Sequence, residues 1–185
     1  MSLPRKNRID LDDVEAALER WGDTVYRLAV CRLRNRADAQ DAFQDVFLAL
    51  VRTRPAFSSR EHQKAWLLRT CCNCCNDIAR KRMRHAAEAL DDLDVIDPAA
   101  EHVSDPALTR ALEALTDRQR TAVHLRYFEG YSAEEIARIT GEKPATVRSH
   151  LFRARNTLKI KLTSGEELPC MSENSNTATT SCKRA

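Results

Sequence analysis

The chain of 185 residues has only four glycines and six prolines, and aromatic residues make up only 5% of it. A strand-rich fold needs turn residues about every ten positions, so this scarcity argues against one. The longest apolar run, Val46 to Val51, has six residues, far short of the roughly 20 that a membrane helix needs. The start of the chain shows no secretory signal. We therefore expect no membrane insertion and a cytoplasmic location.

Catalytic motifs are also missing from the sequence. It contains no glycine-rich phosphate loop, no His-Glu metal spacing and no nucleophile with a base beside it. We therefore expect no enzyme activity, no cofactor and no metal. Seven cysteines without a secretory signal indicate free thiols in a reducing compartment rather than a disulfide framework.

Charge is distributed in blocks, although the net charge is only +3. Lys and Arg dominate from Arg60 to Arg84 and from Lys143 to Lys161, whereas His85 to Ala107 contains seven acids and no Lys or Arg. Two basic blocks separated by an acidic segment indicate two surfaces that meet polyanions. Ordinary solvated helix faces remain the alternative.

Apolar residues recur at helical spacing through most of the chain, which predicts an all-α protein of two small helical domains. The predicted order is a basic arm at 1–10, a first domain at 11–85, an acidic linker at 86–105, a second domain at 106–162 and a polar tail at 163–185. Repulsion between its acids should keep the linker extended. The tail has almost no apolar residues to offset its ordering entropy, so we expect it to be disordered.

The first domain is predicted to contain four helices. They cover residues 10–20, 23–34, 37–54 and 64–84. Pro55 ends the third of them, because proline cannot continue a helix. A loop from Phe57 to Gln63 is predicted to lead into the fourth.

Capping boxes mark the helix starts of the second domain. Thr116–Gln119 opens a helix predicted to run to Glu129, and Ser132–Glu135 opens one predicted to end near Gly141. Pro144 stands where the first turn of a third helix would begin. This helix is predicted to continue to about Leu162.

Residues 134–155 have the spacing of a helix-turn-helix. Ala137 is small where two helices would cross, Gly141 permits the positive φ of a tight turn, and Val147 would pack the second helix onto the first. The outward positions of that second helix are hydrogen-bond donors, as base edges and phosphates require. They are Thr146, Arg148, Ser149, His150 and Arg153. A plain helical hairpin with a cationic solvent face is the alternative.

The motifs of both domains resemble those of bacterial sigma factors. The resemblance to region 4 lies in Leu-Thr-Asp-Arg-Gln-Arg at 115–120, Tyr-Phe-Glu-Gly-Tyr-Ser-Ala-Glu-Glu-Ile-Ala at 127–137 and Ala-Thr-Val-Arg-Ser-His-Leu-Phe-Arg-Ala-Arg at 145–155. The resemblance to region 2 lies in Asp-Ala-Phe-Gln-Asp-Val-Phe at 41–47 and Ala-Trp-Leu-Leu-Arg-Thr at 65–70. Both matches in this order, without regions 1 and 3, are typical of the extracytoplasmic-function (ECF) group.

The resemblance implies core RNA polymerase and promoter DNA as partners, and an anti-sigma factor as a further one. On the helix predicted at 37–54, a stripe beside the core stripe is formed by Asp41, Gln44, Asp45 and Leu48. By resemblance this stripe is the surface that docks on the polymerase clamp helices. From the spacing alone, a solvated face is the favoured interpretation.

In the family, the loop before the tryptophan that corresponds to Trp66 holds a base flipped from the minus-ten element. By position that loop is Phe57 to Lys64. The minus-ten contacts implied by the resemblance are Arg60, His62 and Lys64 in the loop and Asn73, Arg80 and Lys81 along the following helix. Capture of a single strand needs basic and planar groups of this kind. Trp66 itself is interpreted as a core residue rather than a stacking platform.

Three features leave alternatives open. The cluster Cys71, Cys72, Cys74 and Cys75 is interpreted as a set of small hydrophobic residues, with metal or redox sensing as the alternative. His150 stands where the family often has Arg or Lys, so its DNA contact is expected to be weaker or pH-dependent. The linker acids either mimic the charge of RNA in the polymerase or form a solubilising spacer. The main alternative to a sigma factor is an autonomous DNA-binding regulator that dimerises through its first domain.

Overall fold

The computed structural model describes residues 11–86 and 106–163. These residues form seven α-helices and one π-helical turn, with no strand among them, which confirms the all-α prediction. The helices are α1 Leu11–Leu33, α2 Arg36–Thr53, α3 Arg60–Ala86, α4 Pro106–Glu113, α5 Asp117–Val123, α6 Ala133–Thr140 and α7 Pro144–Thr163. We call α1–α3 the N-terminal domain and α4–α7 the C-terminal domain. The basic arm, nearly all of the acidic linker and nearly all of the tail lie outside the described residues.

The N-terminal domain is a bundle in which each of three long helices packs against the other two. Asn35 caps α2, because its side chain accepts a hydrogen bond from the backbone N–H of Asp38 at 2.9 Å. At its other end α2 stops at Arg54, which has a left-handed φ of 42° and is followed by Pro55. None of the helices in the described ranges is long and apolar enough to cross a bilayer.

Two helix boundaries of the N-terminal domain differ from the prediction. α1 is a single helix where two were predicted, and Gly22 lies buried within it, where a Cβ would be 3.9 Å from the ring of Phe43. α3 begins at Arg60, so the predicted loop from Phe57 to Gln63 ends after Ser59. The hydroxyl of Ser59 accepts a hydrogen bond from the backbone N–H of His62 at 3.0 Å, which starts the helix four residues early.

The C-terminal domain begins with α4, a helix that was not predicted. Both predicted capping boxes are present, at Thr116–Gln119 and at Ser132–Glu135. The helix predicted to run to Glu129 is α-helical only to Val123. It continues as the π-helical turn His124–Phe128, in which the N–H of Glu129 donates to the carbonyl of His124 at 3.3 Å.

The helix-turn-helix is formed by α6 and α7, as predicted. Gly141 ends α6 with a φ of 73°, and Ala137 and Val147 are buried where the two helices meet. The core is continuous across both domains, because one cluster of buried side chains includes Leu28 and Leu68 from the N-terminal domain and Leu125 and Ile136 from the C-terminal domain.

Candidate functional site

The predicted polymerase-binding residues lie together on one side of α2. Asp41, Gln44, Asp45 and Leu48 are all exposed, whereas the opposite side of the helix is buried in the bundle. Leu48 is a large apolar side chain that is 46% exposed and stands next to Asp45 on the helix surface. A surface that combines carboxylates, an amide and one exposed leucine can form ion pairs and an apolar contact with a partner.

The predicted minus-ten residues are divided between two sides of α3. Because the helix already begins at Arg60, helical spacing places His62, Asn73 and Arg80 on one exposed side. Lys64 lies on a different side, which faces the C-terminal domain. Lys81 is exposed on the flank of the first side, whereas Arg60 is exposed on the side of Lys64, four residues before it.

Arg69 belongs to the exposed side of α3, although it was not among the predicted minus-ten residues. It is exposed and stands four residues before Asn73, so the two side chains are neighbours on the helix surface. The signal was present in the sequence as helical spacing. Because His62 was predicted to lie in a loop, its seven-residue spacing to Arg69 did not mark a shared helix side.

An aromatic group stands at the start of the exposed side of α3. The rings of Phe57 and His62 meet edge to face at 5.6 Å, and those of Phe57 and Trp66 at 5.8 Å. Trp66 is half-buried and packs against the core, in agreement with its interpretation as a core residue. Phe57 and Trp66 are nevertheless partly exposed, so planar rings stand near the cationic side chains of α3. Planar and cationic groups together suit stacking with unpaired bases.

A groove connects the α2 stripe with the end of α3. Its lining includes Asp45 from α2 and Arg80, Lys81 and Met83 from α3. Arg80 also pairs with Asp77 at 2.8 Å, and both side chains are well exposed. The acidic surface and the cationic surface of the N-terminal domain are therefore adjacent.

On α7, the predicted DNA-reading residues differ in exposure. Arg148, Ser149 and Arg153 are exposed, and Thr146 is half-buried. His150 does not point outward as predicted. Its side chain is only 15% exposed, and its Nε2 lies 3.6 Å from a carboxylate oxygen of Glu142 in the turn before α7.

Arg148 is held by an acid of the helix before it. Its guanidinium lies 2.5 Å from the carboxylate of Glu134 in the first turn of α6. The pKa of Glu134 is lowered, first by a hydrogen bond from its own backbone N–H and second by the one from Arg148. The pair therefore holds the Arg148 side chain at the junction of the two helices of the motif.

Two further arginines stand near Arg148 and were not predicted. Arg126 and Arg155 line, together with Arg148, Tyr127 and Ser132, a cleft of about 380 Å³ at the start of α6. Arg155 follows Arg148 by seven residues, a helical spacing that could have identified it. Arg126 had no such signal, because the π-helical turn places it there.

The cysteines of α3 lie mostly in the core. Cys71, Cys72 and Cys75 are buried, and Cys74 is half-buried. Burial raises the pKa of Cys72 and of Cys74 to about 11, so both are neutral thiols near pH 7. Within residues 11–86 and 106–163, no three His, Cys, Asp or Glu side chains are grouped to hold a metal ion. Cys170 and Cys182 lie outside the described residues.

Both halves of the chain match sigma-factor families. The family described as Sigma-70 region 2 matches residues 17–85, and the family described as Sigma-70, region 4 matches residues 106–158. RNA polymerase sigma factor SigV of Bacillus subtilis (strain 168) is 32% identical over 139 residues, which cover 75% of this chain and 84% of that relative. ECF RNA polymerase sigma factor SigM of Mycobacterium tuberculosis (strain ATCC 25618 / H37Rv) is 36% identical over 135 residues, which cover 72% and 69%.

The fold is similar to that of a solved sigma factor. The structure described as sigma factor RpoE in complex with the anti-sigma factor NepR from Bartonella quintana has a TM-score of 0.66 and 24% identity, and the match covers 83% of this chain and 98% of that one. This likeness shows a shared fold. Membership of the family is shown by the sequence relatives. The chain belongs to the ECF family of RNA polymerase sigma factors, non-catalytic proteins that direct promoter recognition in transcription initiation.

Proposed function

We propose that the N-terminal domain both docks on core RNA polymerase and captures the opened DNA strand, in the cytoplasm. Asp41, Gln44, Asp45 and Leu48 would form the docking surface. The observation that carries the proposal is the groove in which Asp45 of α2 and Arg80 and Lys81 of α3 meet. A polymerase held by α2 would then present the melted strand directly to α3.

The exposed side of α3 has the chemistry that strand capture requires. His62, Arg69, Asn73 and Arg80 supply hydrogen-bond donors along one side, and the ring of Phe57 stands at its start. Lys81 adds positive charge on the flank, and Arg60 adds it in the first turn of the helix. Basic groups follow the phosphates and planar groups stack on bases, which together bind single strands without needing a duplex groove.

For the C-terminal domain we propose recognition of the minus-thirty-five element. Ser149 and Arg153 would reach base edges or phosphates from α7, with Thr146 beside them. The arginines around the start of α6, Arg126, Arg148 and Arg155, would contact backbone phosphates. His150 is expected to contribute little, because it faces Glu142 rather than solvent.

An anti-sigma factor is a further proposed partner. One solved structure of similar fold is a sigma factor in such a complex, RpoE with the anti-sigma factor NepR, and another is CnrH in complex with the cytosolic domain of CnrY. In this chain Tyr127, Phe128 and Phe152 are large apolar side chains that are more than half exposed. Exposed aromatic groups of this kind suit burial by a protein partner.

The test is polymerase-dependent opening of a promoter selected with the holoenzyme. Permanganate reactivity of thymines should appear only when core polymerase is present. We expect Asp45→Lys to abolish both co-purification with core and opening, because it reverses the charge of an exposed docking position. Asp23→Lys, which changes an exposed acid on α1, is the matched control and should behave as wild type.

Either of two results would contradict the proposal. One is recovery of Asp45→Lys with core polymerase at the wild-type yield. The other is tight, sequence-specific binding by the isolated chain without opening at any promoter, which would favour an autonomous regulator.

A further inference from the structure

Several thiols of the N-terminal domain are grouped around one guanidinium. The guanidinium is that of Arg32, which lies 3.7 Å from the Sγ of Cys72 and donates a hydrogen bond to the side chain of Asn76 at 2.7 Å. The thiols that interact electrostatically with it belong to Cys31, Cys71, Cys72 and Cys75. Thiols that only fill space as small hydrophobic groups do not need a cation among them. The arrangement therefore indicates a chemical property of these cysteines.

Two of the grouped thiols are close to each other. The Sγ atoms of Cys71 and Cys75 lie 4.0 Å apart, one helical turn from each other on α3. Cys71 is fully buried, and its sulfur also lies 3.6 Å from the carbonyl oxygen of Val25. Cys75 borders a cleft of about 370 Å³ that Arg32 and Asn76 line as well. A small solute in the cleft therefore meets Cys75 and not Cys71.

Of the four thiols around Arg32, that of Cys75 ionises most readily. A hydrogen bond from Cys71 lowers the pKa of Cys75, and the charge of Arg32 adds to this effect against the opposing effect of burial. The hydrogen bond to Cys75, together with burial, raises the pKa of Cys71, so Cys71 keeps its proton. Cys72 also borders the cleft, but burial raises its pKa to about 11. Because the thiolate is the nucleophile, Cys75 is the group that reacts.

We propose that Cys71 and Cys75 are a dithiol that hydrogen peroxide oxidises to a disulfide, and that the disulfide lowers promoter opening. The Cys75 thiolate attacks one oxygen of the peroxide and the O–O bond breaks. The leaving hydroxide takes up a proton to become water, and Cys75 becomes a sulfenic acid.

A second displacement completes the oxidation. The sulfur of Cys71 attacks the sulfur of Cys75, so that the S–S bond forms and the S–O bond breaks. The hydroxide leaves with the proton of Cys71 as a second water. Two thiols have then lost two electrons to one peroxide, and a dithiol reagent reverses the bond by exchange.

The disulfide requires a local change in α3. Side chains four residues apart on a helix have Cβ atoms about 5–6 Å apart, whereas a disulfide requires about 3.5–4.5 Å. The turn between Cys71 and Cys75 must therefore distort. This turn carries Asn73 on the exposed side of the helix. The effect on promoter opening rests on the proposed role of Asn73 in strand capture.

The first test identifies the oxidised thiols. The full-length chain is treated with hydrogen peroxide and quenched with acid, and its free thiols are blocked with iodoacetamide in denaturant. The oxidised thiols are then reduced and labelled with N-ethylmaleimide, and mass spectrometry of the tryptic peptide 70–80 locates both labels. We expect equal N-ethylmaleimide labelling of Cys71 and Cys75, whereas Cys74 should carry the iodoacetamide label.

Single substitutions separate the two steps. Cys71→Ala should stop the reaction at the sulfenic acid of Cys75, which dimedone traps. Cys75→Ala should leave Cys71 unoxidised, because Cys71 is a neutral, fully buried thiol. Cys74→Ala is the matched control, since it removes a half-buried thiol of the same helix outside the pair, and should form the disulfide as wild type does. The two pair variants give different products, so a folding defect in one, seen by circular dichroism, does not remove the test.

The second test measures promoter opening. The chain is oxidised, freed of peroxide with catalase and then combined with untreated core polymerase. Permanganate reactivity should fall in proportion to the fraction of chains that carry the disulfide, and dithiothreitol should restore it. Backbone amides near Asn73 should exchange hydrogen faster in the oxidised chain, because the helical turn around them is distorted. Cys75→Ala treated in the same way should lose no reactivity.

An oxidised chain without N-ethylmaleimide on both Cys71 and Cys75 would overturn the inference. A disulfide-bonded chain that opens the promoter as well as the reduced chain does, while Asn73→Ala lowers opening, would also overturn it. Failure of the proposed function would look different. Asn73→Ala would then leave opening by the holoenzyme unchanged, and the labelling experiment would still decide whether the pair is oxidised.

Discussion

In the C-terminal domain, α5 and α6 have seven and eight residues and begin at reciprocal capping boxes, whereas α1, α2 and α3 of the N-terminal domain have 18 to 27 residues. Helices of seven or eight residues are unstable alone, so side-chain caps and burial must fix their ends. A long helix can begin a turn earlier or continue through a glycine when packing favours it. Local residues therefore decide where α5 and α6 begin, whereas tertiary packing decides that α1 continues through Gly22.

Arg120 gives the sharpest test of this difference, because it serves local structure and interdomain packing together. It is 6% exposed and donates to the carbonyls of Leu115, at 2.7 Å, and Cys31, at 3.1 Å. We expect Arg120→Ala to lower the free energy of unfolding by about 2–4 kcal/mol, since it leaves several buried carbonyls without donors. Urea denaturation measures the change.

The control for Arg120 is its neighbour Arg118. The side chain of Arg118 is 72% exposed and pairs with Glu142 at the surface. Arg118→Ala should change the free energy of unfolding by less than about 0.5 kcal/mol. Equal losses in the two variants would show that the contact between the domains does not stabilise the chain.

Single arginine substitutions on α7 test DNA recognition by the C-terminal domain separately from strand capture by the N-terminal domain. Arg153→Ala should weaken holoenzyme binding to duplex promoter DNA by roughly 1–3 kcal/mol if Arg153 reads a base, or reduce the salt slope by about 1 if it contacts a phosphate. Arg148→Ala should reduce the salt slope. The measurement is a salt titration of holoenzyme binding.

Arg20→Ala, an exposed arginine on α1, is the control for these variants and should leave the titration unchanged. If both α7 variants bind promoter DNA as wild type does at every salt concentration, the helix-turn-helix is not the reader. The N-terminal domain would then carry all of the recognition.

The helix-turn-helix could be predicted from the sequence more accurately than the minus-ten surface, and the reason is physical. Ser132 and Gly141 act on backbone groups within a few residues, so their effect on α6 can be predicted locally. The start of α3 depended on Ser59, a local signal that was available but was outweighed by the expected loop. The π-helical turn and the pairing of Lys64 with Glu129 depend on packing between domains, for which no residue pattern gave a signal.

The burial of His124, on the side of the C-terminal domain that faces Lys64, can be tested through the dependence of stability on pH. Burial lowers the pKa of His124 to about 4, with Glu129 opposing the shift and Arg27 and Lys64 adding to it. Between about pH 4 and 6.5 the unfolded chain binds a proton that the folded chain does not, so stability falls as the pH falls. The contribution of His124 should lower the free energy of unfolding by about 2 kcal/mol at pH 5 relative to pH 7.5.

Urea denaturation at both pH values measures this dependence. His124→Gln should remove most of it, because glutamine does not titrate. His62→Gln is the matched control, since His62 is exposed on α3, and should leave the dependence in place. The same pH dependence in His124→Gln as in wild type would show that His124 is accessible to protons in the folded chain.

Two glycines give the smallest effects and the most direct comparison, because alanine should change stability in opposite directions in the two domains. Gly22 lies inside α1, where a Cβ would make ordinary contacts, 3.7 Å from Leu18 and 3.9 Å from Phe43. Gly22→Ala should therefore stabilise the chain by about 0.5–1 kcal/mol, because alanine loses less conformational freedom in a helix.

Gly141 has a φ of 73°, and no atom lies within 4 Å of the position of its Cβ. Gly141→Ala should then destabilise by about 1 kcal/mol, entirely through the left-handed backbone. Thermal unfolding of both variants at one protein concentration measures the difference, and two shifts of the same sign would mean that packing, rather than local backbone conformation, controls both positions.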